Sequence, residues 1–235
     1  MKNTLKYLPC TANIFSMNRD SQLKAGTPGE SHYSPSKETF CRFCHLVYDR
    51  HLVTGVGGNM AARSGENILL TPSGYSLRDV EPNLVVAVNG AGIVIEGANP
   101  TKDVSMHLGI LRARPDVNVV FHVHGTYIVA ASVMMEPGTD TLPPLTPGFV
   151  YYAHPLPMIP FLVPGTQILA ETVAEKFSKK QCRAVLLQNH GLVALGKDFQ
   201  EGLNVAEEID EAARIFVLTR GKARTIPSED LGRIG

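Results

Sequence analysis

The spacing of apolar positions changes several times along the chain, and each change marks an element. Thr39 to Leu52 carries Phe40, Phe43, Cys44, Val47 and Tyr48 at intervals of three and four, the stripe of an amphipathic helix. Ser34-Pro35-Ser36 ahead of it suits a helix start, with a serine cap and Lys37-Glu38 in the first turn, and the helix is expected to end near His51. From Val53 the texture shifts to short runs of period two. Ala61 to Arg63, Asn67 to Thr71 and Leu84 to Val88 read as strands, with hairpin turns at Ser64-Gly65-Glu66 and Asn89-Gly90-Ala91-Gly92, the second leading into a strand at Ile93 to Glu96.

The second half returns to mixed periods. A helix is expected from Lys102 to Arg114, capped by Thr101 and stopped by Pro115, then a buried strand over Val117 to Val123 and a helix over Thr126 to Met135. Leu142 to Pro164 holds many of the prolines and reads as extended segments and turns. Thr166 to Ser178 reads as a helix, Ala184 to Leu187 and Leu192 to Leu195 as strands. A long last helix spans about Gln200 to Arg220, with Val205, Ile209, Ala212, Ala213, Phe216 and Val217 on one face. The early strands join through hairpins. That favours a largely antiparallel sheet with helices packed on it over a strict alternation of parallel strand and helix.

Residues 1–33 carry no period and are rich in Asn, Ser, Thr and Gly, so they are expected to form an N-terminal extension to a single domain over 34–235. Lysine plus arginine (22) balances aspartate plus glutamate (22), which leaves no electrostatic footprint for a nucleic acid or an anionic membrane. No apolar run approaches the roughly 20 residues of a membrane span, and no secretory h-region stands near the start. Cys41-Arg-Phe-Cys44 has redox or zinc spacing, but the second pair of a zinc knuckle is missing, and both cysteines fall on the stripe of the first helix. We read them as small core residues, and the chain as cytoplasmic with reduced thiols.

The strongest chemical signal is His122-Val123-His124 at the end of a buried strand. Alternate strand residues share a face, so both imidazoles can reach one metal ion. His190 follows a second apolar strand in Gln188-Asn189-His190-Gly191, where neighbouring strand ends would bring it to the same point. Asp103 starts the helix ahead of the His-x-His strand. Three histidines with an open position describe a catalytic zinc-type site, and manganese, cobalt or iron would accept the same set.

These residues also carry a resemblance. Over roughly Ser36 to Arg220 the chain resembles the class II aldolase/adducin superfamily in six motifs taken in order. They are Gly58-Asn59-Met60-Ala61-Ala62-Arg63, Leu70-Thr71-Pro72-Ser73-Gly74, Pro100-Thr101-Lys102-Asp103 with His107, Arg114-Pro115-Asp116, Val120-Phe121-His122-Val123-His124 and Gln188-Asn189-His190-Gly191-Leu192. The resemblance implies a three-layer α/β/α domain around a mostly antiparallel sheet, assembled as a homotetramer with sites between subunits. It implies one divalent ion per subunit, zinc or manganese, on His122, His124 and His190. It implies a substrate phosphate held by Asn59, Ser73, Gly74, Thr101 and Lys102. Elementary physics agrees, since glycine turns expose N–H groups and a helix N-terminus favours an anion.

Two departures narrow the branch. The family's aldolases have Glu where this chain has Asp103. The tyrosine that they place between the second and third histidines has no match in register, although Tyr151 and Tyr152 lie in the region. The epimerase branch uses Asp at the first position but expects another in Leu142 to Pro164, where no acidic residue occurs. Leu142-Pro143-Pro144-Leu145-Thr146-Pro147 and Ile159-Pro160-Phe161 through Pro164-Gly165 look instead like the 3-oxo-tetronate 4-phosphate decarboxylases. Decarboxylases of hydroxylated aromatic acids and phosphoketose aldolases, such as those cleaving fuculose 1-phosphate, are the alternatives. Adducin-type structural modules lose the metal ligands that this chain keeps.

The implied chemistry passes through an enediolate stabilised by the ion. Loss of carbon dioxide needs only an acid to protonate the carbanion, whereas retro-aldol cleavage also needs a base. Asp103 is the expected acid and the substrate a small anionic oxo or hydroxy acid, with Tyr151, Tyr152 and His154 as lesser candidates for an auxiliary acid.

Overall fold

The computed structural model describes residues 33–234. The expected N-terminal extension and Cys10 therefore lie outside the described residues, except for Tyr33. The first helix, α1 (Lys37–Asp49), begins where the cap was expected, with Ser36 Oγ accepting the Thr39 N–H at 3.2 Å. Its buried face carries Phe40, Cys41, Phe43, Cys44 and Val47, so the two cysteines are core thiols.

Eight strands form one sheet: β1 (Asn59–Ser64), β2 (Asn67–Leu70), β3 (Val86–Val88), β4 (Val94–Glu96), β5 (Val119–Val123), β6 (Met158–Ile159), β7 (Ala184–Leu187) and β8 (Gly191–Gly196). The order across the sheet is β4-β3-β2-β1-β5-β8-β7-β6. Every pairing is antiparallel except β6 with β7, which is parallel. The hairpins read from the turns account for the β1–β2 and β3–β4 pairs, and the long connection from Leu70 to Val86 brings β3 back beside β2. The core strand β5 is then clamped between β1 and β8, and His122 sits level with Asn59 on one side and Val193 on the other.

Helices cover both faces. One layer holds α1, α3 (Thr126–Met134), α4 (Pro147–Ala153) and α6 (Phe199–Leu218), packed around Phe40, Phe121, Phe149 and Phe199. The other holds α2 (Val104–Ala113) and α5 (Gln167–Phe177), packed on Val120, Ile110, Val173 and Phe177. Side-chain alternation along β5 puts Phe121 and Val123 against the first layer, and Val120 and His122 on the side of α2. That split turns the histidine pair toward the helix that Asp103 begins.

Three expectations change. The helix after Thr101 starts later, at Val104, with Asp103 as its N-cap residue. The proline-rich stretch contains a helix, α4, because Thr146 Oγ1 accepts the Phe149 N–H at 3.2 Å and Pro147 stands at the first helical position, where a missing N–H costs nothing. A short helix, α7 (Ser228–Leu231), follows α6, where no period announced it. Among the described residues no helix is long and apolar enough to cross a membrane.

Candidate metal centre

Three histidines reach one point from two strand ends. His122 is fully buried on β5, His124 follows two residues later, and its backbone N–H donates to Leu52 O at 2.9 Å where the chain leaves the sheet. His190 arrives through a tight turn after β7. Asn189 takes a left-handed φ of 57°, which asparagine tolerates, and its N–H donates to Ser132 Oγ on α3 at 3.0 Å. One nitrogen from each ring lies within 4.8 Å of the others. Glycine makes room for this convergence. A Cβ at Gly191 would strike Val123 O and lie 2.7 Å from His124 Cδ2, and one at Gly57 would lie 2.9 Å from His124 Nδ1.

The donor set fits a divalent ion. Burial pushes the His122 imidazole well below its usual range, helped by His124 and His190. Burial takes His124 down to about 4, with His190 adding to the shift and Asp103 opposing it. Burial also lowers His190, again opposed by Asp103. All three rings are therefore neutral near pH 7, the form that ligates. The His122 ring lies with Nδ1 3.1 Å from Leu192 O, so Nδ1 carries the hydrogen and Nε2 faces His124 Nε2 at 2.9 Å as a free lone pair. His124 Nε2 either donates its hydrogen across that gap or, as the other tautomer, turns a second lone pair to the same point, and the second form is the one that a shared cation would take. His190 Nδ1 is buried without a hydrogen-bond partner, another atom that a ligand would satisfy.

Asp103 faces the triad. Its Oδ2 lies 4.0 Å from His122 Nε2 and accepts from Asn59 Nδ2 at 2.8 Å. The carboxylate makes no cap bond to its own helix, because it is turned inward to Asn59. The surrounding segments are stitched together by backbone bonds. Thr101 N–H donates to Thr71 O at 2.9 Å, Ser73 N–H to Asn99 O at 2.9 Å, and Met60 N–H to the buried Thr71 Oγ1 at 3.2 Å. Asn59, Ser73, Gly74, Thr101, Lys102 and Asp103 thus gather where α2 begins. Within that group Asn59 and Thr101 are buried, whereas Ser73 is half-buried and Gly74 and Lys102 are exposed.

The lesser candidates lie elsewhere in the described chain. Tyr151 and Tyr152 are on α4, in the layer packed across the sheet from α2. Tyr152 Oη accepts from Asn204 Nδ2 at 3.2 Å and lines a cavity with Arg183 and Lys197, beyond the end of β8 farthest from His190. His154 lies 3.2 Å from Asp140 and edge-on to Phe149. None of the three is brought to the triad. Sequence reasoning did not single out Ser132 or Thr71 as working residues, and His107 entered it only as part of the Asp103 motif. His107 is fully buried, with Nε2 bonded to Asn59 Oδ1.

Comparison with known proteins follows the same line. The sequence profile described as Class II Aldolase and Adducin N-terminal domain matches residues 38–217. The chain is 33% identical over 190 residues to a 3-oxo-tetronate 4-phosphate decarboxylase of Pectobacterium atrosepticum, covering 80% of this chain and 86% of the relative. It is 32% identical over 176 residues to an L-fuculose phosphate aldolase of Methanococcus maripaludis, covering 75% and 93%. Among solved structures, YgbL from Klebsiella pneumoniae superposes with a TM-score of 0.79 at 26% identity, covering 85% of this chain and 97% of that one.

Proposed function

The chain belongs to the class II aldolase and adducin family, a family with metal-dependent lyases, and from that premise we propose that it decarboxylates a short anionic oxo acid of the 3-oxo-tetronate 4-phosphate type. The observation that carries the reading is Asp103. It is one carboxyl group, held by Asn59 and turned away from its own helix to within 4.0 Å of His122. A reaction that must deliver one proton to one carbon needs that arrangement and no second acid–base group. The similarity to the Pectobacterium decarboxylase supports the same branch.

His122, His124 and His190 would hold the ion, zinc or manganese. When bound, it supplies a Lewis acid that stabilises negative charge developing on the substrate's ketone oxygen. The bond between the carboxylate carbon and its neighbour breaks, and carbon dioxide leaves. The electron pair stays on the carbon beside the ketone, and Asp103 in its acid form donates the proton that this carbon takes up. Lys102 is exposed at the start of α2, and with the Ser73-Gly74 turn and the positive end of the helix it holds the phosphate. Asn59 and Thr101 support them from below, since Thr101 Oγ1 accepts the Asp103 N–H at 3.3 Å.

The test is turnover of 3-oxo-tetronate 4-phosphate by metal-loaded protein, following carbon dioxide and dihydroxyacetone phosphate together with a chelated control. Both products, lost on chelation, are expected. No turnover by a demonstrably metal-bound protein sinks the substrate. The similarity to a fuculose phosphate aldolase makes phosphoketose cleavage the second reading, and hydroxylated aromatic acids are the third substrate class to assay. The reading includes a homotetramer. The exposed apolar side chains Ile93, Val94 and Ile95 at the β4 edge support a subunit contact, and light scattering of the pure protein tests it.

A further inference from the structure

Beneath the proposed acid runs a chain of buried polar groups whose far end, His107, the reaction as described leaves idle. His107 on α2 has no exposed surface. Its Nε2 bonds Asn59 Oδ1, and Asn59 Nδ2 donates to Asp103 Oδ2 at 2.8 Å. Asn59 itself sits level with His122 on the adjoining strand, so the chain ends beside the metal centre.

The direction of each bond follows from the groups at the ends. With the proton to be donated on Asp103 Oδ1, Oδ2 only accepts, so Asn59 must turn its NH2 to Asp103 and its oxygen to His107. An amide oxygen also only accepts, so His107 Nε2 must carry a hydrogen. Burial pushes the His107 imidazole down to about 4, which leaves a single N–H on the ring. That hydrogen is on Nε2, and Nδ1 is bare. Nδ1 is indeed a buried atom with no partner, and a buried lone pair is a lesser cost than a buried orphan N–H.

We propose that His107 is a positioning residue for the reaction: by donating to Asn59 it fixes which way the amide points, and the amide in turn fixes the Asp103 carboxylate against the triad. The inference rests on Asp103 being the proton donor. His107 touches neither substrate nor metal. Without its N–H, Asn59 Oδ1 is buried and unpaired, so the amide keeps only its bond to Asp103 and is no longer anchored from behind. An amide held at one end can rotate, and the Asp103 carboxyl that it holds moves with it, away from the reacting carbon. Asn59 consequently acts in orientation first, and any phosphate contact uses only its remaining N–H.

The experiment compares His107→Phe, which keeps the volume and loses the donor, with His107→Gln, whose amide NH2 reaches the same place as Nε2. Both are assayed as zinc-loaded full-length protein. The expected result is a kcat lowered about tenfold or more in His107→Phe, with KM and zinc affinity within about twofold of wild type, and most of the loss recovered in His107→Gln. An undiminished kcat in His107→Phe, or no recovery in a folded His107→Gln, overturns the proposal. Nitrogen NMR of the histidine-labelled, zinc-loaded wild type gives a readout independent of turnover. His107 must appear as a neutral ring protonated on Nε2, and the Nδ1-protonated tautomer overturns the proposal. Side-chain amide exchange at Asn59 must be slow in wild type and His107→Gln and faster in His107→Phe, and equal rates overturn it. If the wild type turns over none of the candidate acids, the proposed function fails, while the tautomer and the amide exchange still decide the orienting role of His107.

Discussion

Ser132 Oγ receives the backbone N–H of Asn189 at 3.0 Å and gives its own hydrogen to Val129 O at 2.8 Å. A hydroxyl from the last turn of α3 therefore holds the left-handed residue that aims His190 at the other two histidines. The bond joins residues 57 apart in the chain and has no exposed surface on the serine side. Replacing Ser132 by Ala leaves the Asn189 N–H without its acceptor and frees the turn. We expect stability to fall by about 1–2 kcal/mol and zinc affinity to fall about tenfold. Competition against a chromophoric chelator reads the second number. An affinity equal to that of wild type would show that the turn holds without the serine.

Gly191 is the next residue along that turn, and its lack of a side chain is a matter of space. A Cβ there would run into Val123 O and His124 Cδ2, backbone and metal-facing ring at once. The ring cannot retreat, because Gly57 closes in on its Nδ1 from the other side. Gly191→Ala should cost about 1–3 kcal/mol of stability and lower the zinc content of purified protein. Thermal unfolding and metal analysis on the same sample check it. A variant with full zinc occupancy and an unchanged Tm refutes the steric account.

How much of this was legible beforehand depended on the distance over which each signal acts. The His122–His124 pair was readable because a strand's period of two is local. The β1–β2 and β3–β4 hairpins were readable because their turns lie within the segments they join. His190 and Asp103 could be offered to the same site from their places after a strand and at a helix start, but strand order makes their meeting point, and the family resemblance tied them to it. Helix α4 was lost because Pro143, Pro144 and Pro147 dominate its surroundings, and a proline at the first helical position looks the same in sequence as one that breaks a helix. Ser132 stands in an apolar run as an ordinary helix residue, and nothing near it hints at Asn189. Tyr151 and Tyr152 drew notice by type and by lying between the second and third histidines, where the resemblance expects a tyrosine. The sheet puts them behind the opposite layer, where Tyr152 pairs with Asn204.

Asp103 gives the sharpest functional prediction. Asn at that position can still accept the Asn59 N–H through its oxygen, so Asp103→Asn should fold and load metal as wild type does. It cannot donate a carboxylic acid proton. We expect kcat to fall by about a hundredfold or more with zinc content unchanged. Turnover at the wild-type rate would remove Asp103 from the proton transfer.

Asp210 gives a pH dependence that has no part in the chemistry. It lies on α6, beside Gly125 at the start of α3, and lines a cavity of about 370 Å³ with Arg50, Glu207, Glu211 and Arg214. Burial raises its carboxyl from 3.8 to about 6, although the Ile128 N–H and Arg214 pull the other way. A folded value above the unfolded one means that the folded state binds the proton more tightly. The associated stability is therefore fully present below about pH 3.8 and is lost as pH rises through about 6. Above that range the protein carries a half-buried charge at a net cost on the order of 1 kcal/mol, discounted because the carboxyl is partly exposed. Asp210→Asn removes the titration and keeps an oxygen for the Ile128 N–H. Urea unfolding at pH values from 4 to 7 should show the variant gaining on wild type as pH rises, and ending more stable at pH 7. A stability difference that stays constant across that range would mean that the carboxyl titrates alike in the folded and unfolded chains.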